Sequence, residues 1–321
     1  MKPSVNEEIQ YVEIAPVLKD KQYSSLRDCY LTPAHAFHKI EPNVCYFDRT
    51  ARPTLVKFLL LPRALESCYG RALDGLNGAD WNPSSRVSVK GQRKAKKLTY
   101  GFFPQEPFFI GGNEWRSVRS SATMKQPALA YALRPLIREM NRRLIEFLPF
   151  YFERVVELIG KAGQRDEEDD WSKIPLPPAA LAGVRDPVKL VKGISETGWG
   201  ENDPLPPTYT LWGTVFSSLE LNRHAIFKAH EDSDNVAGTL VCIAALGNYA
   251  GGRLVLPRYG YYADLQPTDL LICDNKNEFH GNLGPLAGES TSPRYSVVAF
   301  LHENVLDYAN REGLWAPKSE S

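Results

Sequence analysis

With 321 residues, 43% of them hydrophobic and 24% charged, the chain has an ordinary globular composition and room for a large core. Its 38 basic and 38 acidic residues cancel, so no overall field recruits a polyanion, and any nucleic-acid contact must come from local clusters. Five scattered cysteines without a CxxC pair exclude a disulfide framework and a thiolate zinc site. A polar N-terminus and the lack of a long apolar run predict a soluble protein that is neither secreted nor membrane-spanning.

Residues 1–50 are mixed in character. The apolar run Thr54–Leu61 predicts a buried strand, and residues 63–76 a helix. A basic stretch follows, Arg86, Lys90, Arg93, Lys94, Lys96 and Lys97, with no acid between them. It reads either as a solvated loop or as an arm that contacts phosphates. After Pro127, apolar residues from Leu129 to Phe147 recur at three- and four-residue steps and predict a helix that Pro135 kinks or starts. Its arginines, Arg134, Arg138, Arg142 and Arg143, fall mostly on other faces and read as solvated surface. A further helical segment is expected from Phe152 to Ile159.

The acidic block Asp166–Asp170 and seven prolines mark 161–207 as a surface insertion. From Thr208 the pattern changes to short strands: 208–221, 238–246, 253–256, 259–265, 270–273 and 294–302, with glycines at the turns. Such spacing predicts an α+β chain: a double-stranded β-helix (jelly-roll) core over 208–305 with supporting N-terminal helices in 1–160. A tail, 306–321, follows, and the whole is expected to be one integrated unit.

The strand-rich part contains His230-x-Asp232 and, after several strands, His280. Residues i and i+2 of a strand face one side, so His230 and Asp232 can share a metal, and the intervening strands can return His280 to them. Two imidazoles and a carboxylate suit non-haem Fe(II), without excluding other divalent ions. Arg294 and Ser296 lie two apart on the closing strand. A buried arginine needs an anionic partner, and a cosubstrate carboxylate would serve; the bland alternative is an exposed edge arginine. Glu231 is expected to point away from Asp232, and Asp234 to stand behind the ligands. His35, His38, His224 and His302 read as structural.

These residues resemble a family. Phe216–Asn222, His230-x-Asp232-x-x-Asn235, Gly251–Pro257, Asp269–Leu271 and His280–Asn282 are similar to the TET/J-binding-protein family of nucleic-acid pyrimidine dioxygenases. Lys97–Pro104 looks like an upstream element of its J-binding-protein branch. The resemblance is good over about 208–305 and looser over 86–160.

The resemblance implies an Fe(II)- and 2-oxoglutarate-dependent dioxygenase that oxidises the methyl group of 5-methylcytosine or thymine in DNA, using O2. By carry-over, His230, Asp232 and His280 hold iron, Arg294 takes the far carboxylate of 2-oxoglutarate, and Asn235 contacts the target base; Ser296, on the same side of the strand as Arg294, can add a hydrogen bond. The base should be flipped out of the duplex. Arg93, Lys94, Lys96 and Lys97 are the expected DNA contacts, with Asp234 near the base and Tyr100, Phe102 or Trp115 as stacking partners. Where the branch has an arginine four residues before the first ligand, this chain has Ile226; Asn222, Arg223 or Lys228 would compensate. Ascorbate is an alternative cosubstrate. The expected setting is monomeric, nuclear in a eukaryote and otherwise cytoplasmic. Two alternatives stand beside this: a hydroxylase of a protein or small molecule, and a non-catalytic DNA-binding barrel.

Overall fold

The apolar runs become strands whose two faces go to different places. The computed structural model describes residues 9–50, 56–83, 96–101, 126–149, 151–152, 155, 211–212, 214–284 and 293–303. The strands are β1 (Gln10–Glu13), β2 (His38–Lys39), β3 (Val44–Phe47), β4 (Val56–Leu61), β5 (Asn82–Pro83) and β6 (Lys96–Gly101). They continue with β7 (Ser218–Arg223), β8 (Val241–Leu246), β9 (Leu254–Leu256), β10 (Tyr261–Ala263), β11 (Leu270–Cys273), β12 (Gly281–Asn282) and β13 (Tyr295–Phe300). The helices are α1 (Asp20–Ser24), α2 (Tyr69–Gly78) and α3 (Pro127–Phe147).

Nine strands form the larger sheet in the order β1-β3-β4-β11-β8-β13-β7-β6-β5, and four form the smaller, β12-β9-β10-β2. Alternation along each central strand sorts its side chains. On β13, Tyr295, Val297 and Ala299 face a core shared with Leu133, Leu136, Ile137 and Met140 of α3. Val298 and Phe300 face the other way, into a core shared with Leu256 and Ala263 of the smaller sheet and with Tyr259 in the turn between their strands. The α3 residues named are fully buried, each worth about 1.5–3 kcal/mol of transfer free energy. A double-stranded β-helix with helices on its outer face is therefore the architecture, as the strand spacing predicts.

Several boundaries differ from the expectation. The helix expected at 63–76 starts only at Tyr69, after a run of turns. The strand expected over 208–221 begins at Ser218, because Leu211 to Phe216 closes a turn: the Leu211 N–H donates to Phe216 O at 2.6 Å, and Thr214 donates both its N–H and hydroxyl to Leu211 O. Pro135 sits inside α3, which continues through it, losing only the hydrogen bond to the Tyr131 carbonyl. Arg142 and Arg143 pair with Glu139 and Glu146 along the helix surface, which fits their reading as solvated surface. The segments 161–207 and 306–321, Arg93, Lys94, Phe102 and Trp115 lie outside the described residues. No described helix is long and apolar enough to cross a membrane.

Lys96 and Lys97, read as part of a loop or arm, lie on β6, opposite Arg223 and Asn222 of β7. The first fifty residues, mixed in sequence, supply β1 and β3, which extend the larger sheet beyond β4.

The two long helices meet at Gly75. A Cβ there would stand 2.3 Å from Ala132 Cβ. Helix propensity alone would make Gly75→Ala stabilising by about 1 kcal/mol. The overlap reverses the sign, and a net loss of about 1–2 kcal/mol is expected in urea unfolding. A gain would show that α2 and α3 sit further apart than described.

Candidate metal centre

After β7 the chain runs irregularly to Asn235, and one short pairing fixes it. The His230 N–H donates to His280 O, and the His280 N–H to His230 O, both at 3.0 Å. Residues that exchange both bonds in an antiparallel pair present their side chains on one face. Two residues on, the Asp232 N–H donates to Asn275 O at 2.9 Å, which keeps the extended run long enough for Asp232 to face the same way. One donor atom from each of His230, Asp232 and His280 then falls within a 4.8 Å cluster. His230 Nε2 stands 3.5 Å from Asp232 Oδ1, and His280 Nε2 stands 3.7 Å from Asp232 Oδ2.

The tautomers suit metal binding. His230 Nδ1 lies 2.8 Å from Lys228 O, and His280 Nδ1 lies 3.1 Å from Glu278 O. A carbonyl only accepts, so each Nδ1 carries the proton and each Nε2 offers its lone pair to the cluster. Burial alone would push the Asp232 carboxyl up, but the imidazoles of His280 and His230 and the Asn275 amide hold it down at about 2. Burial also lowers His280, against the pull of Asp232, so it is neutral at pH 7. His280 is buried, whereas the side chains of His230 and Asp232 are 30% and 28% exposed. One side of the cluster therefore opens outward. The donor set, the lone pairs and the opening fit a divalent cation with positions left for other ligands.

Asn275, which the sequence reading did not single out, is part of this arrangement. Its Nδ2 lies 3.2 Å from both Asp232 Oδ2 and His280 Nε2, and its Oδ1 takes the Cys273 thiol. The N-terminal segment also contributes. Cys29 O accepts from the Ala229 N–H, and Ala229 O from the Asp28 N–H, beside His230. Tyr23 stacks on Phe279 beside His280. The signal available was the polar run Asp274–Asn277 directly after a fully apolar strand; the N-terminal contacts leave no local trace.

The expected anion-binding residues line the inter-sheet side. Arg294 reaches Gly252, donating from Nη2 to its carbonyl at 3.1 Å, and its guanidinium lies over the Tyr249 ring. Gly252 adopts φ +71°, and a Cβ there would stand 2.7 Å from Arg294 Nε, so only glycine fits. Arg294 Nε is buried without a hydrogen-bond partner, and among the described residues no carboxylate pairs with this guanidinium. Ser296 is buried two residues on, opposite Asn222 of β7. Asn222 is also buried and donates to Glu220 at 3.0 Å. Glu220 alternates with the helix-facing Leu219 and Leu221, which turns its charge toward the inter-sheet side and His280.

Asn235 is buried, with Nδ2 unpartnered, and forms a bridge with His302. Asp234 is exposed and takes the Ser233 hydroxyl, apart from the metal ligands. Lys228 is exposed, with its ammonium over Tyr30. Glu231 turns away from the cluster, as expected, and pairs with Arg27.

Comparison with known proteins agrees with this geometry. Residues 199–303 match the Tet_JBP family model, the oxygenase domain of the 2OGFeDO superfamily. The chain is 32% identical over 105 residues to a bifunctional helicase and thymine dioxygenase, JBP2, of Trypanosoma brucei brucei. It is 31% identical over 107 residues to the thymine dioxygenase JBP1 of Leishmania major. These matches cover 32% and 33% of this chain and only 10% and 13% of those proteins. Among solved structures, NgTET1 in complex with 5mC DNA is similar in fold, with a TM-score of 0.51 at 12% identity, over 93% of this chain and 84% of that one.

Proposed function

We propose, from the premise that residues 199–303 carry a Tet_JBP oxygenase domain of the 2OGFeDO superfamily, that this protein is an Fe(II)-dependent dioxygenase oxidising the methyl group of 5-methylcytosine or thymine in DNA. The observation that carries the reading is the convergence of His230, Asp232 and His280, with both Nε2 lone pairs turned to one point inside that domain. His230, Asp232 and His280 would hold the metal, which when bound activates O2 together with the cosubstrate.

The chain's own residues supply binding and orientation. Arg294 is a buried cation whose Nε lacks a partner, and the far carboxylate of 2-oxoglutarate would complete it through a charge-assisted pair. Ser296 and Asn222, buried side by side on β13 and β7, would take hydrogen bonds along the same ligand. Ascorbate is the alternative cosubstrate; an enediol lactone without a carboxylate, it would leave Arg294 without that partner. Asn235 presents an unpartnered buried amide, which a flipped base would satisfy. Lys96 and Lys97, with Arg93 and Lys94 just before them, would meet the phosphates, while Lys228 and Asp234 would act at the rim. DNA as substrate places the work in a nucleus, or in the cytoplasm of a cell without one.

Incubation with Fe(II), O2 and DNA containing 5-methylcytosine, with 2-oxoglutarate or ascorbate in separate arms, tests this. Mass spectrometry of the nucleosides is expected to show a hydroxymethyl pyrimidine, formed in the 2-oxoglutarate arm with release of succinate. Succinate without any modified nucleoside would reject DNA and move the reading to a protein or small-molecule hydroxylase.

A further inference from the structure

We propose that Lys57 of β4 is a positioning residue for the metal centre, fixing the loop that presents Asn275 and His280; this rests on the metal-centre reading above. Lys57 is 1% exposed, and its Nζ lies 2.9 Å from Asp274 Oδ2 and 3.0 Å from Glu278 Oε1, both carboxylates being buried as well. The two acids bracket the loop, so one ammonium ties down both of its ends. The Lys57 carbonyl also accepts the Asp274 N–H at 2.9 Å, joining the loop to β4.

Each end of the loop leads directly to a group in the cluster. Asp274 precedes Asn275, whose amide reaches Asp232 and His280. Glu278 provides the carbonyl that orients His280 through Nδ1. The Glu278 side chain is held from further directions. Tyr23 donates to its Oε2 at 3.2 Å while accepting the Phe279 N–H, the Tyr259 hydroxyl lies 3.0 Å from Oε1, and Arg258 Nε lies 3.2 Å from Oε2.

A lysine in this place is a poor way to build stability. Desolvation of a buried ion cluster offsets most of its attraction, and apolar side chains in place of all three groups would pack at least as well. What the ammonium supplies is direction: two carboxylates set at hydrogen-bond distance from one nitrogen, with little freedom left to the residues between them. Outer partners of this kind orient the metal-binding groups, and their loss weakens metal affinity by about 10–100-fold.

The test is a titration of the full chain with Co(II), followed by visible absorption, on the wild type, Asp232→Ala, Lys57→Met and Tyr23→Phe. The wild type is expected to bind with a defined spectrum, and Asp232→Ala to lose it. Lys57→Met is expected to bind about 10–100-fold more weakly with shifted bands, and Tyr23→Phe to lose several-fold, in the same direction. Unchanged affinity and spectrum in folded Lys57→Met would overturn the proposal. Should that variant not fold, Tyr23→Phe decides, and no change there overturns it. A wild type that binds no Co(II) would instead remove the metal-centre reading itself, and this proposal with it.

Discussion

Asp232→Ala is expected to abolish turnover and to weaken divalent-metal binding by more than the roughly 100-fold that loss of an outer partner can cost. The reason lies in the geometry: Asp232 is the one anion in the cluster, with a carboxylate oxygen 3.5 Å from one imidazole Nε2 and 3.7 Å from the other. Without it, two imidazoles would be left to hold a dication. Calorimetric titration of the metal reads the loss directly, and retained affinity would show that the three side chains do not form the site. The pH dependence has a defined sign. The Asp232 carboxyl is lowered from an ordinary 3.8 to about 2 on folding. Its contribution to stability is therefore fully present above pH 3.8 and is lost as the pH falls through about 2. His280 is lowered from 6.5. Protons therefore compete with metal at this residue only below the ordinary imidazole range, and affinity for the metal should fall with acidification there.

The second large effect is expected at Arg294, where stability and function should part. Burial pushes the guanidinium pKa down, and its described contacts are a single carbonyl and an aromatic face. Arg294→Met keeps the length of the side chain and removes an uncompensated charge, so the cosubstrate-free protein should melt at the same or a higher temperature. Cosubstrate binding should collapse, because truncating one partner of a buried charge pair costs about 2–5 kcal/mol, roughly 30- to 5,000-fold in affinity. Thermal unfolding with and without 2-oxoglutarate separates the two effects: the ligand should raise the midpoint of the wild type and leave the variant unmoved. A variant that melts lower and still responds to the ligand would place the cosubstrate elsewhere.

The parts of this site that were legible in the sequence are those whose placement follows from alternation along one strand. His230 and Asp232 are two apart, as are Arg294 and Ser296, and each pair keeps a common side in the fold. The buried strands β8, β11 and β13 were legible too, because they are continuous apolar runs between turn residues. Asn275, Tyr23 and Lys57 were not, since their roles come from partners that only the folded chain supplies. Tyr23 meets Glu278 across 255 residues, and Lys57 meets Asp274 across 217. The N-terminal strand β1 escaped for another reason. It is exposed along its whole length and pairs in parallel at the sheet edge, so no alternation marks it.

The pairing of β4 with β11 also bears on how the protein is made. During synthesis β4 emerges more than two hundred residues before its partner, and Lys57 emerges with it, without Asp274 or Glu278. Until β11 follows, an apolar strand with an open edge and a lone ammonium stay without these partners. Closure of that ladder joins β4 to β11 and fixes the loop from Asp274 to Glu278 in one event. The loop that leads to His280 is therefore fixed at the same step that covers the open edge of β4.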